Sequence, residues 1–276
     1  MSAPGASTRR RVLVALDASR GSLDALSAAA ALAARLGAEL HGLFVEDVNL
    51  LRAAGLPFAS QLSSLSAAPR PLERRGLERE LRALAAAARA SVAEEARRVE
   101  VGWSFRVARG QVSVEILAAA GDADVLVLGR TGRRVGSRPG ETARAAAARA
   151  PTSVLLVGRG ADIGRPVVAA YDDSPEADRV LEVAARLDAG AGKITLLVTA
   201  PAPGQADALA DRARHRLARE GRAEARCVVI ARRQDLVRAA RSSGAILVLG
   251  AASPALGDDG LDALLEEIES PLLVVR

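Results

Sequence analysis

The chain has 276 residues, half of them apolar and 26% charged, a globular composition long enough for about two domains. Its formal charge is only +5 despite a pI near 10.6, and aromatics make up 2%. Stacking platforms for bases are therefore nearly absent, which argues against nucleic acid as a partner. The single cysteine, Cys227, excludes an internal disulfide and a cysteine-based zinc cluster, fits a reducing compartment, and reads as a buried, inert thiol in an apolar run. The apolar stretch 12–16 after the basic N-terminus is too short for a signal-peptide core, and the longest uncharged apolar run, 25–34, falls short of the roughly 18 residues of a membrane span. The expectation is a cytoplasmic protein without a membrane segment.

Residues 11–16 form a short β-branched run ending at Asp17, and 22–36 form an Ala/Leu helix with Ser22 as its N-cap and Gly37 as its stop. Residues 39–45 read as strand two. A long helix over 74–99 carries Leu77, Leu81, Leu84, Ala88, Val92 and Val99 at helical spacing. Strand three covers 103–108, a helix 112–120 and strand four 125–128. Gly140 opens another helix, stopped near Pro151, before strand five at 153–157. Alternating strands and helices predict an α/β fold with a parallel sheet covered on both faces.

The second half repeats this order. Tyr171-Asp172-Asp173-Ser174 answers Leu16-Asp17-Ala18-Ser19, and the closing strands of the two halves, like their fourth strands, match in pattern. A duplicated pair of five-stranded domains, 1–158 and 164–276, is the economical reading. Both final strands are apolar and uncharged, and each would be an exposed edge unless covered. The halves differ at 46–72, a long Pro- and Ser-containing insert whose apolar residues Leu50, Leu51, Leu56 and Phe58 suggest a lid or a protein interface.

Asp17 closes strand one at the carboxyl edge of the sheet, where open α/β sheets bind ligands. There it either accepts hydrogen bonds from an adenine or ribose, or caps the turn into the helix. Gly129-Arg130-Thr131-Gly132 and Gly140-Glu141-Thr142 follow strand four; glycines admit a phosphate close to the backbone, and a helix start offers unpaired N–H donors. The run is neither a P-loop nor a dinucleotide motif. No catalytic set or metal-ligand spacing emerges around the two histidines, His41 and His215, so the chain reads as a non-enzyme, with a weak ATPase as the third-ranked alternative.

Asp-x-Ser after strand one, Gly-x-x-Gly after strand four, the glycine opening the last helix and the proline before a Val-Leu-Leu-Val strand together resemble the universal stress protein family, in tandem over nearly the whole chain. The resemblance implies an adenine nucleotide alpha hydrolase-like fold, a stress-response or regulatory role, and domains that pair through their last strands, so that 153–157 and 272–275 are expected to lie side by side and make the tandem chain an internal pseudo-dimer. It also implies a possible nucleotide, ATP or else ADP or AMP, with or without Mg. Its implied contacts are Asp17 and Val45 to the adenosine, and Gly129, Arg130, Gly132, Arg133, Gly140, Glu141 and Thr142 around the phosphates. The sequence departs from the family's Gly-x2-Gly-x9-Gly-Ser/Thr: seven residues separate Gly132 from Gly140, and Glu141 stands at the Ser/Thr position. Arg130, Arg133, Arg134 and Arg138 leave this loop with a net charge of about +3. In the second half Gly250 is followed by Ala251-Ala252-Ser253, and Asp258 and Asp259 fall at the helix start. Nucleotide binding is therefore expected in the first half alone; a nucleotide-free scaffold is the alternative, and a homodimer of the tandem chain is a further possibility.

Overall fold

A computed structural model describes residues 10–17, 19–54, 60–63, 66–71, 74–131, 139–160, 163–164, 166–172, 174–188, 194–200, 203–221, 225–230, 233–243, 245–257 and 260–276. In chain order the first half forms β1 (Arg11–Leu16), α1 (Arg20–Leu36), β2 (Glu39–Asp47), α2 (Val48–Ala53), β3 (Ser60–Ser63), β4 (Ser66–Pro71), α3 (Arg74–Arg98), β5 (Trp103–Gly110), α4 (Val112–Ala120), β6 (Val125–Gly129), α5 (Glu141–Arg149) and β7 (Ser153–Val157). The second half forms β8 (Val167–Tyr171), α6 (Ala177–Leu187), β9 (Ile194–Val198), α7 (Ala206–Arg219), β10 (Ala225–Val229), α8 (Arg233–Ser243), β11 (Ile246–Gly250), α9 (Gly260–Glu267) and β12 (Leu272–Val275).

Ten strands share one sheet in the order β10-β9-β8-β11-β12-β7-β6-β1-β2-β5, so each half has the same internal order, third-second-first-fourth-fifth. Pairing is parallel within each half and antiparallel between β7 and β12, where Leu155 faces Leu273 and Val154 faces Val274. This is the expected pseudo-dimer. The central strands are uniformly apolar because helices cover both faces. One core lies under α1, α3, α6 and α7, the other under α4, α5, α8 and α9. Side chains also cross the seam. Arg35 donates from Nη1 to the carbonyls of Ile163 (2.6 Å) and Leu187 (2.9 Å), and Arg144 pairs with Glu266 at 3.1 Å.

Two expectations need correction. The N-cap of α1 is Ser19, not Ser22: Ser19 Oγ accepts from Ser22 N at 3.2 Å, and Ser22 Oγ turns back to donate to Ser19 O at 2.9 Å. Both serines are cap formers, and spacing alone does not choose between them. Strand β2 runs on to Asp47, because β5 pairs with it through Gly110. The insert carries α2 and the β3–β4 hairpin, and Leu51 and Ala54 are buried in the core beside α3. Leu56 and Phe58 lie outside the described residues. Ser19→Ala is expected to cost about 1 kcal/mol in denaturant melts, the usual worth of a side-chain cap.

Candidate functional site

The carboxyl ends of β1, β2 and β6 open into a cleft of about 480 Å³. Ala15, Leu16, Leu43, Val45 and Leu128 form its apolar floor, and Val112 and Ile116 of α4 form one wall. Asp17, Ser19 and Ser22 come from the β1–α1 turn, Asp47 from the end of β2, and Gly129, Thr131, Gly140, Glu141 and Thr142 from the β6–α5 connection. A parallel sheet produces such a crevice where neighbouring crossovers leave in opposite directions, here between β1 and β6.

Asp17 makes the turn contact and also lines the cleft. Its Oδ1 accepts from Ser19 N at 3.0 Å, which fixes the turn into α1. Asp47 does likewise at the next strand end, accepting from Asn49 N at 2.8 Å. Gly140 is the N-cap of α5 and offers no side-chain oxygen to the helix, so the first α5 amides remain donors at the cleft rim. Gly140 N itself donates to Arg130 O at 2.9 Å, closing the loop's neck. Among the described lining residues the charged groups are Asp17, Asp47 and Glu141, all acidic. Positive potential there comes from helix starts rather than from a described cation.

The structure gathers six of the expected residues, Asp17, Val45, Gly129, Gly140, Glu141 and Thr142, around this cleft. Gly132 and Arg133, with Arg134 and Arg138, lie outside the described residues. Arg130 is a correction. Its side chain is 4% exposed and leaves the cleft, donating from Nη2 to the carbonyl of Leu265 in the last turn of α9. Burial pulls the guanidinium pKa down, while nearby Glu269 opposes that shift. Sequence adjacency to Gly129 had suggested phosphate; only the packing of α9 against α5 reveals the other destination. The residues that sequence reasoning missed in the cleft are chiefly Asp47, Thr131, Val112 and Ile116. Asp47 would have been visible had β2 been extended by two residues.

The matching position of the second half is closed. Asp172 keeps the turn, accepting from Ser174 N at 2.8 Å, but it is 3% exposed, and its other oxygen accepts from the Ser253 hydroxyl. Glu176 stands over Gly250: a Cβ placed on that glycine would sit 3.1 Å from Glu176 Cβ. Asp258 and Asp259 lie outside the described residues.

Other candidate groups fall elsewhere. His41 meets the Ser104 hydroxyl through Nδ1 at 2.9 Å and lies 3.6 Å from Glu39. His215 is exposed and bonds the Asp211 carbonyl of its own helix at 2.8 Å. Cys227 is half-buried, not fully buried as expected, and burial pushes its thiol pKa up, so it stays a poor nucleophile. No group of three or more potential metal ligands occurs among the described residues, and none of the described helices is long and apolar enough to cross a membrane.

A family model described as the universal stress protein family matches residues 8–158, more than half of the chain and all of the cleft described above. The chain belongs to the universal stress protein family. A universal stress protein from Archaeoglobus fulgidus DSM 4304 superposes with a TM-score of 0.72 at 16% identity, covering 96% of this chain and 98% of that one. A functionally unknown protein from Pseudomonas aeruginosa PAO1 gives 0.60 at 16% identity, covering 97% and 92%. These likenesses extend the universal stress protein fold over both halves. No curated protein matches the sequence.

Proposed function

We propose that this universal stress protein is a cytoplasmic regulatory protein that acts by binding an adenine nucleotide in its first half only. The observation that carries the reading is the contrast between Asp17, which lines an open cleft with Val45 and the α5 start, and Asp172, which is buried against Ser253. An apolar floor ending in a carboxylate suits an adenosine, whose ring is apolar in body and whose ribose hydroxyls donate. The uncapped α5 amides suit an oxyanion at the other end. Tandem duplication of one domain, 1–158 and 164–276, accounts for the repeated strand order, with the second copy retained for the seam it forms with the first. Residues 46–72 are the proposed contact for a protein partner.

Glu141 sets how much phosphate the cleft accepts. As the first residue of α5 it complements the helix dipole by roughly 0.3–1 kcal/mol. A phosphate about 4 Å away would meet about 1 kcal/mol of repulsion in water and several times more if partly dry. A nucleotide-free scaffold is the second reading, and it draws on this carboxylate together with the departure of Arg130 from the cleft.

Calorimetric titration with adenosine, AMP, ADP and ATP at low salt separates the two. One nucleotide per chain is expected. Glu141→Ser should tighten AMP and ADP by about fivefold, a change of about 1 kcal/mol, and leave adenosine unchanged. The gain should be smaller for ATP, because a seven-residue connection between Gly132 and Gly140 is short for wrapping a triphosphate. Two equivalent sites would refute the asymmetry. Undetectable binding of all four ligands by both proteins would establish the scaffold reading.

A further inference from the structure

A second cavity of about 480 Å³ lies far from the cleft, on the sheet face covered by α1 and α6, and both halves build it. Its apolar surface combines Leu32 and Leu36 of α1, Val183 and Leu187 of α6, and Val125 and Leu273 from the sheet beneath. Leu36, Val125 and Val183 are only half-buried, so apolar surface remains open at this groove. The volume falls within the range of small-molecule pockets, roughly 300–1,000 Å³.

Charge around the rim is unevenly satisfied. Four arginines line the cavity, Arg10, Arg179, Arg186 and Arg216, against Asp124, Asp178 and Glu182. Each carboxylate already has a partner: Asp178 has Arg216 at 3.6 Å, Glu182 has Arg186, and Asp124 accepts from the backbone N of Arg11 at 2.7 Å. The side chains of Arg10 and Arg179 have no ion pair or hydrogen bond among the described residues. The lining therefore carries a surplus of one positive charge and two guanidinium groups free to engage an anion. Guanidinium matches a carboxylate with two parallel hydrogen bonds.

We propose that this groove binds a monoanionic amphiphile, a carboxylate on a medium-length apolar tail, with the head at Arg10 and Arg179 and the tail along Leu36, Val125 and Val183. One negative charge balances the surplus; a more highly charged ligand would meet Asp124, Asp178 and Glu182 at the same rim. Helix α1, which starts at the first-half cleft, ends at this groove, so a ligand here would grip the element that forms one side of the proposed nucleotide site. The proposal itself does not depend on nucleotide binding.

Decanoate and its neutral counterpart decanol are the probes, titrated into the full chain by calorimetry and by amide and methyl NMR. Decanoate should bind once per chain, more tightly than decanol, and weaken as salt is raised. Its shifts should centre on Leu36, Val125, Val183 and Leu273. The double variant Arg10→Gln/Arg179→Gln, both at exposed positions, should weaken decanoate at least tenfold and leave decanol unchanged. Val183→Trp fills the groove from its open side and should abolish both without lowering the melting temperature. The proposal is overturned if decanoate fails to bind, if its affinity ignores the arginine substitutions, if it persists in Val183→Trp, or if its shifts map to the Asp17 cleft instead.

Discussion

Arg130→Ala is expected to destabilise the protein by about 2–3 kcal/mol while leaving nucleotide affinity unchanged. The backbone of Arg130 belongs to the first half, where its N donates to Val157 O at 2.8 Å, but its side chain is a tie to the second half. The Leu265 carbonyl lies in the last turn of α9, where carbonyls lack intrahelical partners and a cation is favoured by the helix dipole. A hydrogen bond to a charged group contributes roughly 1.5–3 kcal/mol, and removal of the arginine leaves a buried acceptor unsatisfied. The lost stem adds a packing defect. Arg276 makes the reciprocal contact, donating from Nη2 to the Ala147 carbonyl in the last turn of α5. The two arginines thus clamp α5 and α9 from both sides, with Arg144 and Glu266 between those helices. Arg130→Met retains most of the stem and should recover part of the loss, since a desolvated charge is itself costly. Urea melts of the three proteins, followed by nucleotide titration, decide the matter. A large loss of affinity at unchanged stability would return Arg130 to the binding site.

How much of this was legible in the sequence depends on whether the determining force is local. Strand runs such as 153–157 and 246–250 announce themselves, because a parallel strand buried on both faces has to be continuously apolar. The same fact says that β7 and β12 cannot both remain open edges, while their pairing with one another was what the family resemblance implied. The cleft was legible through Asp17, Gly129 and Gly140, because turn and helix-start chemistry lies within a few residues. What escaped depends on distant partners. Asp47 enters the cleft because β5 extends its pairing with β2, and Arg130 leaves it because α9, more than a hundred residues on, presents a carbonyl. Ser19 and Ser22 illustrate the local limit: three residues apart, either satisfies the rule for a cap, and the Asp17 turn decides between them.

Gly129→Ala should lower stability by about 2 kcal/mol and also reduce nucleotide affinity at least tenfold, whereas Arg130→Ala leaves affinity unchanged. The end of β6 and the first turn of α1 touch backbone to backbone. A Cβ on Gly129 would fall 2.6 Å from Gly21 O and 2.7 Å from Gly21 C, and a Cβ on Gly21 would fall 2.5 Å from Thr131 O. None of these neighbours is a side chain able to rotate away, so a methyl group at either position has to push α1 off the sheet. Overpacking of this kind costs typically 1–3 kcal/mol. The displaced segment holds Ser19, whose hydroxyl caps α1, and Ser22, whose hydroxyl accepts from Asp17 N at 3.4 Å in the turn that positions Asp17. Movement there shifts one wall of the cleft relative to the α5 start on the other side. A ligand that bridges the two walls therefore loses contacts at both ends. Gly21→Ala should behave alike, because it separates the same two backbones from the other side. The pair forms a test by non-additivity: once α1 has moved to admit one methyl group, the second costs less, and the double variant should be less destabilised than the sum of the single ones. Denaturant melts and nucleotide titration of the three variants provide the measurement. Additive losses, or full affinity in Gly129→Ala, would show that the close approach of β6 and α1 does not shape the site.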